Sequence, residues 1–243
     1  MGVTVVWKDV AMIKNKVECL PFRVRWVRDE QELQRAVRVR HAAYARHVPE
    51  FAQTLAQPEP LDYDDAVVVL LAESKVDGSP LGTMRIQTNT DQPLDLEQSL
   101  TLPPWLQGAR LAEATRLGLS LGLHGERESR LVKGLLFKAF YRYCLLHQIE
   151  WMVVAGRSPM DRQYERLLFQ DVYPGLGYIP LRHAFNLPHR VMALHVPSAE
   201  TRWSAAKHPL LRFMCHTEHP DIPVVGTSVI ACDARGLAKP GLR

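Results

Sequence analysis

At 243 residues, with 47% hydrophobic and 23% charged side chains, the chain is long enough for one large domain and too apolar for wholesale disorder. Its longest strong apolar run, Ala66–Ala72, is seven residues, far short of a membrane-spanning helix. The net charge of +4 is too mild to point to nucleic acid. Cys19, Cys144, Cys215 and Cys232 contain no C-x-x-C pair, and Lys8, Asp9, Lys14, Lys16 and Glu18 interrupt any signal-peptide core. Both features predict a reducing, cytoplasmic location.

Charge is unevenly spread. Between Phe22 and His47 there are seven arginines against Asp29, Glu30 and Glu32, whereas residues 61–100 carry eight acids against Lys75 and Arg85. Such segregation suits a phosphorylated or acidic partner, or simply a solvated surface of mixed sign.

Residues 22–28 alternate strictly and predict a half-buried strand. Asp29 and Glu32 then open a helix with capping-box spacing. Its apolar face is Leu33, Ala36, Val37, Ala43 and Tyr44, with Arg40 in the middle of that stripe, and Pro49 is expected to end it. A loop with Glu59, Asp62, Asp64 and Asp65 leads to strands over 66–75 and 81–88, joined by the hairpin turn Asp77-Gly78-Ser79-Pro80. A Pro-rich excursion precedes a strand over 110–120, a helix over 129–147 and a buried strand over 151–155. A helix over 159–169, strands over 175–180 and 191–196, a helix over 198–207 and a short segment to about 216 complete the order. A helix between strands 110–120 and 151–155 requires a parallel crossover, while the earlier strands are hairpin-linked. The expectation is an α/β fold: a mixed central sheet flanked by helices, with a helical C-terminal extension. Residues 1–230 would form one domain and 231–243 a loose tail.

Charged residues inside apolar strands need partners or a site. Arg85, Glu113 and Arg116 are of this kind. Glu113 and Arg116 stand three apart, so a regular strand points them to opposite faces, and only a bulge would unite them. An Arg85–Glu113 brace across the sheet is the plainer alternative. Asp64 could likewise be a turn residue with Arg40 as its salt-bridge partner. Cys215-His216-x-x-His219 is weak as a metal motif, Cys144 on an apolar helix is a packing residue, and no G-x-S-x-G elbow is present.

In order along the chain, Arg40 with Tyr44, Tyr63-Asp64, Arg85 and Glu113-Ala114-Thr115-Arg116 resemble the acyl-homoserine-lactone synthase superfamily over roughly residues 33–120. The resemblance implies a fold similar to the GNAT acyltransferases. Three positions depart from the lactone synthases: Glu50 and Phe51 occupy the region of a tryptophan, Leu61 stands where an acid is usual, and Thr115 replaces serine. The stretches 188–194, 199–203, 208–210 and 219–222 are similar instead to the long-chain N-acyl amino acid synthases.

That branch implies transfer of a long acyl chain from acyl carrier protein to the α-amine of an amino acid. No permanently bound cofactor or metal is expected; the donor would be the acyl-phosphopantetheine arm of the carrier. Glu113 would be the base and Arg116 a second catalytic residue. Arg40, Tyr44, Asp62, Asp64, Arg85 and Thr115 would line the substrate site, the arginines orienting the acceptor carboxylate or organising Asp64. The segment 124–130 lacks the Gly-rich loop that cradles a coenzyme A pyrophosphate, and Glu126 and Glu128 would repel one. Arg127, Arg130, Lys138 and Arg142 share one helix face and are expected to meet the acidic carrier. The partners are thus a carrier protein and a small-molecule acceptor rather than nucleic acid, with membrane proximity only through a lipid product. A lactone synthase using S-adenosylmethionine, an exosortase-associated acyltransferase and a non-catalytic carrier-binding module of the same fold are the competing readings.

Overall fold

The computed structural model describes residues 16–222 except 121 and 124, so Cys232 and the expected tail at 231–243 lie outside the described residues. Ten strands are present among them: β1 (Lys16–Val17), β2 (Phe22–Trp26), β3 (Val67–Ser74), β4 (Pro80–Thr88), β5 (Leu111–Leu119), β6 (Trp151–Gly156), β7 (Gln170–Asp171), β8 (Ile179–Leu181), β9 (Leu187–His195) and β10 (Thr217–Glu218). The α-helices are α1 (Glu30–Ala45), α2 (Pro49–Thr54), α3 (Glu126–Leu146), α4 (Met160–Arg166), α5 (Val196–Ala205) and α6 (Leu211–Cys215).

The main sheet runs β2-β3-β4-β5-β6-β9-β7, with β8 also on β9. All its pairings are antiparallel except β5–β6, which is parallel, as the α3 crossover demands. The architecture is therefore the expected mixed sheet flanked by helices with a helical extension. β1 and β10 form a separate parallel pair that ties the two ends of the described chain together.

Alternation along the strands divides the core. Val132, Leu135, Leu136 and Phe140 of α3 pack with Met84, Ala112, Val154 and Met192 on one face. On the other face Leu33, Ala36 and Val37 of α1 cover Val69 and Leu71, while Leu94, Leu96, Leu102 and Leu106 of the Pro-rich excursion cover Leu111, Val153 and Val191. Each fully buried aliphatic side chain contributes about 1.5–3 kcal/mol, so the excursion is an integral layer and not a loose insertion.

Several boundaries differ for identifiable reasons. Asp29 caps α1 by accepting from the Glu32 amide at 2.8 Å, but the Glu32 carboxylate reaches back to the Arg28 amide rather than to Asp29. Pro49 does not end α1, which stops at Ala45; it opens α2, where a missing N–H costs nothing. α3 begins three residues early, directly after Gly125 at φ 93°. The helix expected over 159–169 spans only α4; a turn at 167–168 then leads to β7, too short to show any alternation. Gly175 and Gly177, at φ 95° and 65°, confine the strand expected over 175–180 to β8.

Candidate active site

The site is built on a fault in the sheet. Arg85 pairs with Thr115 and Thr83 with Gly118, so two steps on β4 face three on β5. Arg116, at φ 54°, absorbs the extra residue. This bulge lets both Glu113 and Arg116 reach the 182–184 turn, which strict alternation would forbid. On the other side of β5, pairing with β6 stops at Ala114–Val154, and the two strands part.

Arg40, Arg85 and Arg116 converge on the same face, and each is paired with carboxylates; Arg40 Nε alone among their buried nitrogens lacks a hydrogen-bond partner. Arg40 grips Asp62 with two hydrogen bonds of 3.0 and 2.8 Å, and Asp62 also accepts from the Glu59 amide at 2.8 Å. Arg85 donates to Thr115 Oγ1 at 3.1 Å, to Glu59 at 3.1 Å, to Asp62 at 3.4 Å and to Asp95 at 3.2 Å. Arg116 holds Glu59 at 2.7 and 2.6 Å, donates to the His183 carbonyl at 2.8 Å and lies over the Phe51 ring, 5.1 Å from its centroid. Phe51 in turn stacks on Phe185 and meets the edge of Tyr44.

Three cations thus face three carboxylates, Glu59, Asp62 and Asp95, in a low-dielectric setting. Burial works against ionisation of Glu59 and Asp62, but the hydrogen bonds and charges of the arginines outweigh it and hold both below the usual carboxylate range. At Asp95 burial wins over Arg85 and Arg116, and its affinity for a proton rises. Glu59 and Asp95 were not singled out as site residues from the sequence; the available signal was the surplus of acids facing an arginine-rich helix.

This network corrects one expectation and bears on another. Asp64 is not organised by the arginines: it caps a turn, accepting from the Ala66 amide and the Gln92 side chain at 2.8 Å each. Arg40, Arg85 and Arg116 are each already paired with carboxylates of the network, so an acceptor carboxylate would compete with Glu59, Asp62 and Asp95 for them.

Glu113 is fully buried, and Arg85 does not brace it. It accepts from the Leu96 amide at 3.3 Å, and its other oxygen, without a hydrogen-bond donor, lies 3.7 Å from His183 Nε2. Burial, then the Asp95 charge, pushes its carboxyl up to about 8, so it retains its proton near neutrality. His183 is driven down to about 3 by burial and by Arg116, so the pair is uncharged.

A cleft of about 540 Å³ occupies the gap between the parted strands, walled by Ala43, Leu117, Leu119, Ala155, Met160 and Tyr164. It shares Arg46 and Lys133 with a groove of about 880 Å³ along α3, α4 and α6. On its inner side it shares Tyr44, Val48, Ala155, Arg157 and His189 with a small cavity of about 50 Å³, which also touches Thr115, Arg116 and His183. Burial raises the Tyr44 phenol above its ordinary value. Glu113 lines none of these spaces, so any contact with a substrate passes through His183 or a water.

Arg127 and Arg130 are exposed on α3, Arg130 paired with Glu126 at 2.9 Å, and Arg142 is half-buried. Lys138 does not belong to that surface. It is 2% exposed, with its ammonium on the Phe213 and Thr217 carbonyls and 2.8 Å from His219 Nδ1, so it anchors the C-terminal extension. His216 turns away to Glu200 at 2.9 Å, and no group of three or more metal-ligating side chains occurs among the described residues. Cys144 is buried in the core and its thiol is pushed far up by burial. No helix among the described residues is long and apolar enough to cross a membrane.

No protein-family model and no curated protein matches the chain. Solved structures do. FeeM, an N-acyl amino acid synthase from uncultured soil microbes, superposes with a TM-score of 0.59 at 21% identity, over 79% of this chain and 97% of that one. BjaI, a CoA-dependent acyl-homoserine lactone synthase, gives 0.53 at 12% identity over 82% and 93%, and the acyl-homoserine lactone synthase LasI gives 0.51 at 16% identity over 72% and 90%. With the strand order, the single parallel crossover and the bulged β5, these matches establish that the chain has a GNAT-like fold.

Proposed function

We propose that the protein is an N-acyltransferase that moves a long-chain acyl group from acyl carrier protein to the α-amine of an amino acid. The observation that carries this reading is the continuity of three spaces: an apolar groove, a cleft between parted strands and a small polar cavity at the bulge. A thioester at the neck would have its tail in apolar surroundings and its carbonyl beside the bulge. Each buried methylene contributes about 0.8 kcal/mol, so a chain of about a dozen carbons would supply on the order of 10 kcal/mol and dominate binding. The chemistry forms a C–N bond and breaks a C–S bond. It needs a neutral amine, donors for the carbonyl oxygen and a route for one proton. Backbone N–H groups of β5 beyond Ala114, where β6 no longer pairs, are suited to the carbonyl oxygen.

The arginine–carboxylate network serves this reading as a rigid floor. Arg116, Arg85 and Thr115 hold the bulge, and Arg40 with Asp62 holds the Glu59 loop against it. Glu113 beneath His183 is a sealed proton store rather than a surface group. On the donor side, Arg46, Arg130, Lys133 and Arg166 line the groove against a single carboxylate, Glu126, which favours an acidic carrier over a bare apolar thioester.

The test is mass spectrometry of lipids from cells expressing the protein beside an empty-vector control, followed by reconstitution with charged acyl carrier protein. New N-acyl amino acids support the proposal. New acyl-homoserine lactones would transfer the chain to the other branch, and carrier binding with no product from any amine would make it a binding module.

A further inference from the structure

Arg157 differs from the three arginines of the network. Arg40, Arg85 and Arg116 are each paired with carboxylates, whereas Arg157 has no ion pair and no side-chain hydrogen bond among the described residues. It is half-buried, at the exit of β6, and lines both the cleft and the inner cavity. A half-buried guanidinium with no counter-ion, facing a cleft, is a ready partner for an anionic ligand.

His189 lines the same two spaces from β9, one residue before the Arg190–Gly156 pair that ends the β6 ladder. Its Nδ1 lies 2.7 Å from the Leu187 carbonyl, which accepts the proton of that nitrogen. The tautomer is thereby fixed, so Nε2 carries the lone pair, and it has no partner among the described residues. Arg116 from β5, Arg157 from the β6–α4 turn, Tyr44 from α1 and His183 from the turn before β9 are the titratable groups that line the inner cavity with it. Burial first, then the charges of Arg157 and Arg116, keep the imidazole below its ordinary range and hence neutral.

We infer that Arg157 and His189 form the acceptor subsite, Arg157 receiving the α-carboxylate of the amino acid and His189 Nε2 taking the proton of its amine. The inference rests on the acyl-transfer reading above and names the groups that give it an amino-acid acceptor. As the amine nitrogen attacks the thioester carbon, its proton passes to Nε2. When the C–S bond breaks, the imidazolium returns that proton to the departing thiolate, so the products are an amide and a free thiol with no net change in the enzyme.

The experiment uses the full chain with acyl-charged carrier protein and paired acceptors, each amino acid beside its C-terminal amide. Arg157→Gln should raise KM for the acid roughly ten- to hundredfold, leave KM for the carrier unchanged and abolish the preference for acid over amide. Arg157→Lys should restore part of that preference. His189→Asn keeps a donor for the Leu187 carbonyl but no base; it should lower kcat about 10²- to 10⁴-fold with an unchanged melting temperature. The acid limb of wild-type kcat should fall below the ordinary histidine range and disappear in His189→Asn. An acid limb near pH 8, the value of Glu113, would overturn the assignment of the base. A rise in KM for the carrier alone would move Arg157 to the donor phosphodiester and overturn the carboxylate assignment. If the wild type makes no N-acyl amino acid, the functional reading itself falls; if it does and both variants are wild-type-like, only this inference falls.

Discussion

Glu59→Gln is the sharpest probe of the floor of the site. Glu59 accepts two hydrogen bonds from Arg116, at 2.7 and 2.6 Å, and one from Arg85 at 3.1 Å, and lies 3.4 Å from Arg40. The amide keeps the shape but removes the charge, leaving three guanidinium groups against Asp62 and Asp95. Breaking a buried pair from one side costs about 3–5 kcal/mol, because the orphaned charge stays desolvated. The carboxylate is 20% exposed, which places the cost at the lower end, about 3 kcal/mol. For a chain of this size that is a fall in Tm of about 6–12 °C. Urea unfolding should show a lower midpoint with an unchanged slope.

The pH dependence has a definite sign. Glu59 and Asp62 sit below their unfolded values, so their contribution is complete above the ordinary carboxylate range and is lost as pH falls through the folded values. Glu59→Gln should flatten that acid limb. A loss below about 1 kcal/mol would refute the reasoning, since it would mean that the arginines do not depend on Glu59 for neutralisation.

Glu113→Gln should have the opposite pH signature. With a folded value of about 8, above its unfolded one, Glu113 favours the native state below the ordinary glutamate range and loses that advantage as pH rises through 8; equilibrium unfolding of the variant at pH 5–9 should lack this decline. Lys138→Met leaves the Phe213 and Thr217 carbonyls without their donor and should destabilise by about 1–3 kcal/mol, while affinity for acyl carrier protein, measured by titration calorimetry, stays unchanged; a weakened affinity in a folded variant would return Lys138 to the docking surface. At Gly156 a Cβ would lie 2.7 Å from the Tyr164 ring and 3.0 Å from the Asp161 amide. Gly156→Ala should therefore cost about 1–3 kcal/mol and shorten the acyl chains accepted by the cleft, read from the product spectrum.

Local order was legible in the chain because alternation and helical spacing are local. The strict 22–28 pattern, the hairpin at 77–80 and the apolar stripe of α3 specify their elements without reference to anything distant. The parallel β5–β6 pair followed from the length of the intervening helix, since a hairpin cannot span it. Charge inside strands likewise pointed to Arg85, Glu113 and Arg116, because such residues are too costly to bury idly.

Which charge meets which was decided only by tertiary structure. Asp62 and Asp64 are two residues apart in one loop and equally acidic, yet the turn at 60–63 sends one to Arg40 and the other to Gln92. Lys138 falls on the same side of the helical wheel as Arg142, and only the docking of α6 and β10 buries its ammonium. Arg157 and His189 are separated by 31 intervening residues and carry no motif. They share a cavity because β9 returns antiparallel beside β6 just where β5 has turned away. Periodicity records which face a residue prefers; the partner on that face is set by the register of strands distant in sequence, which no local pattern encodes.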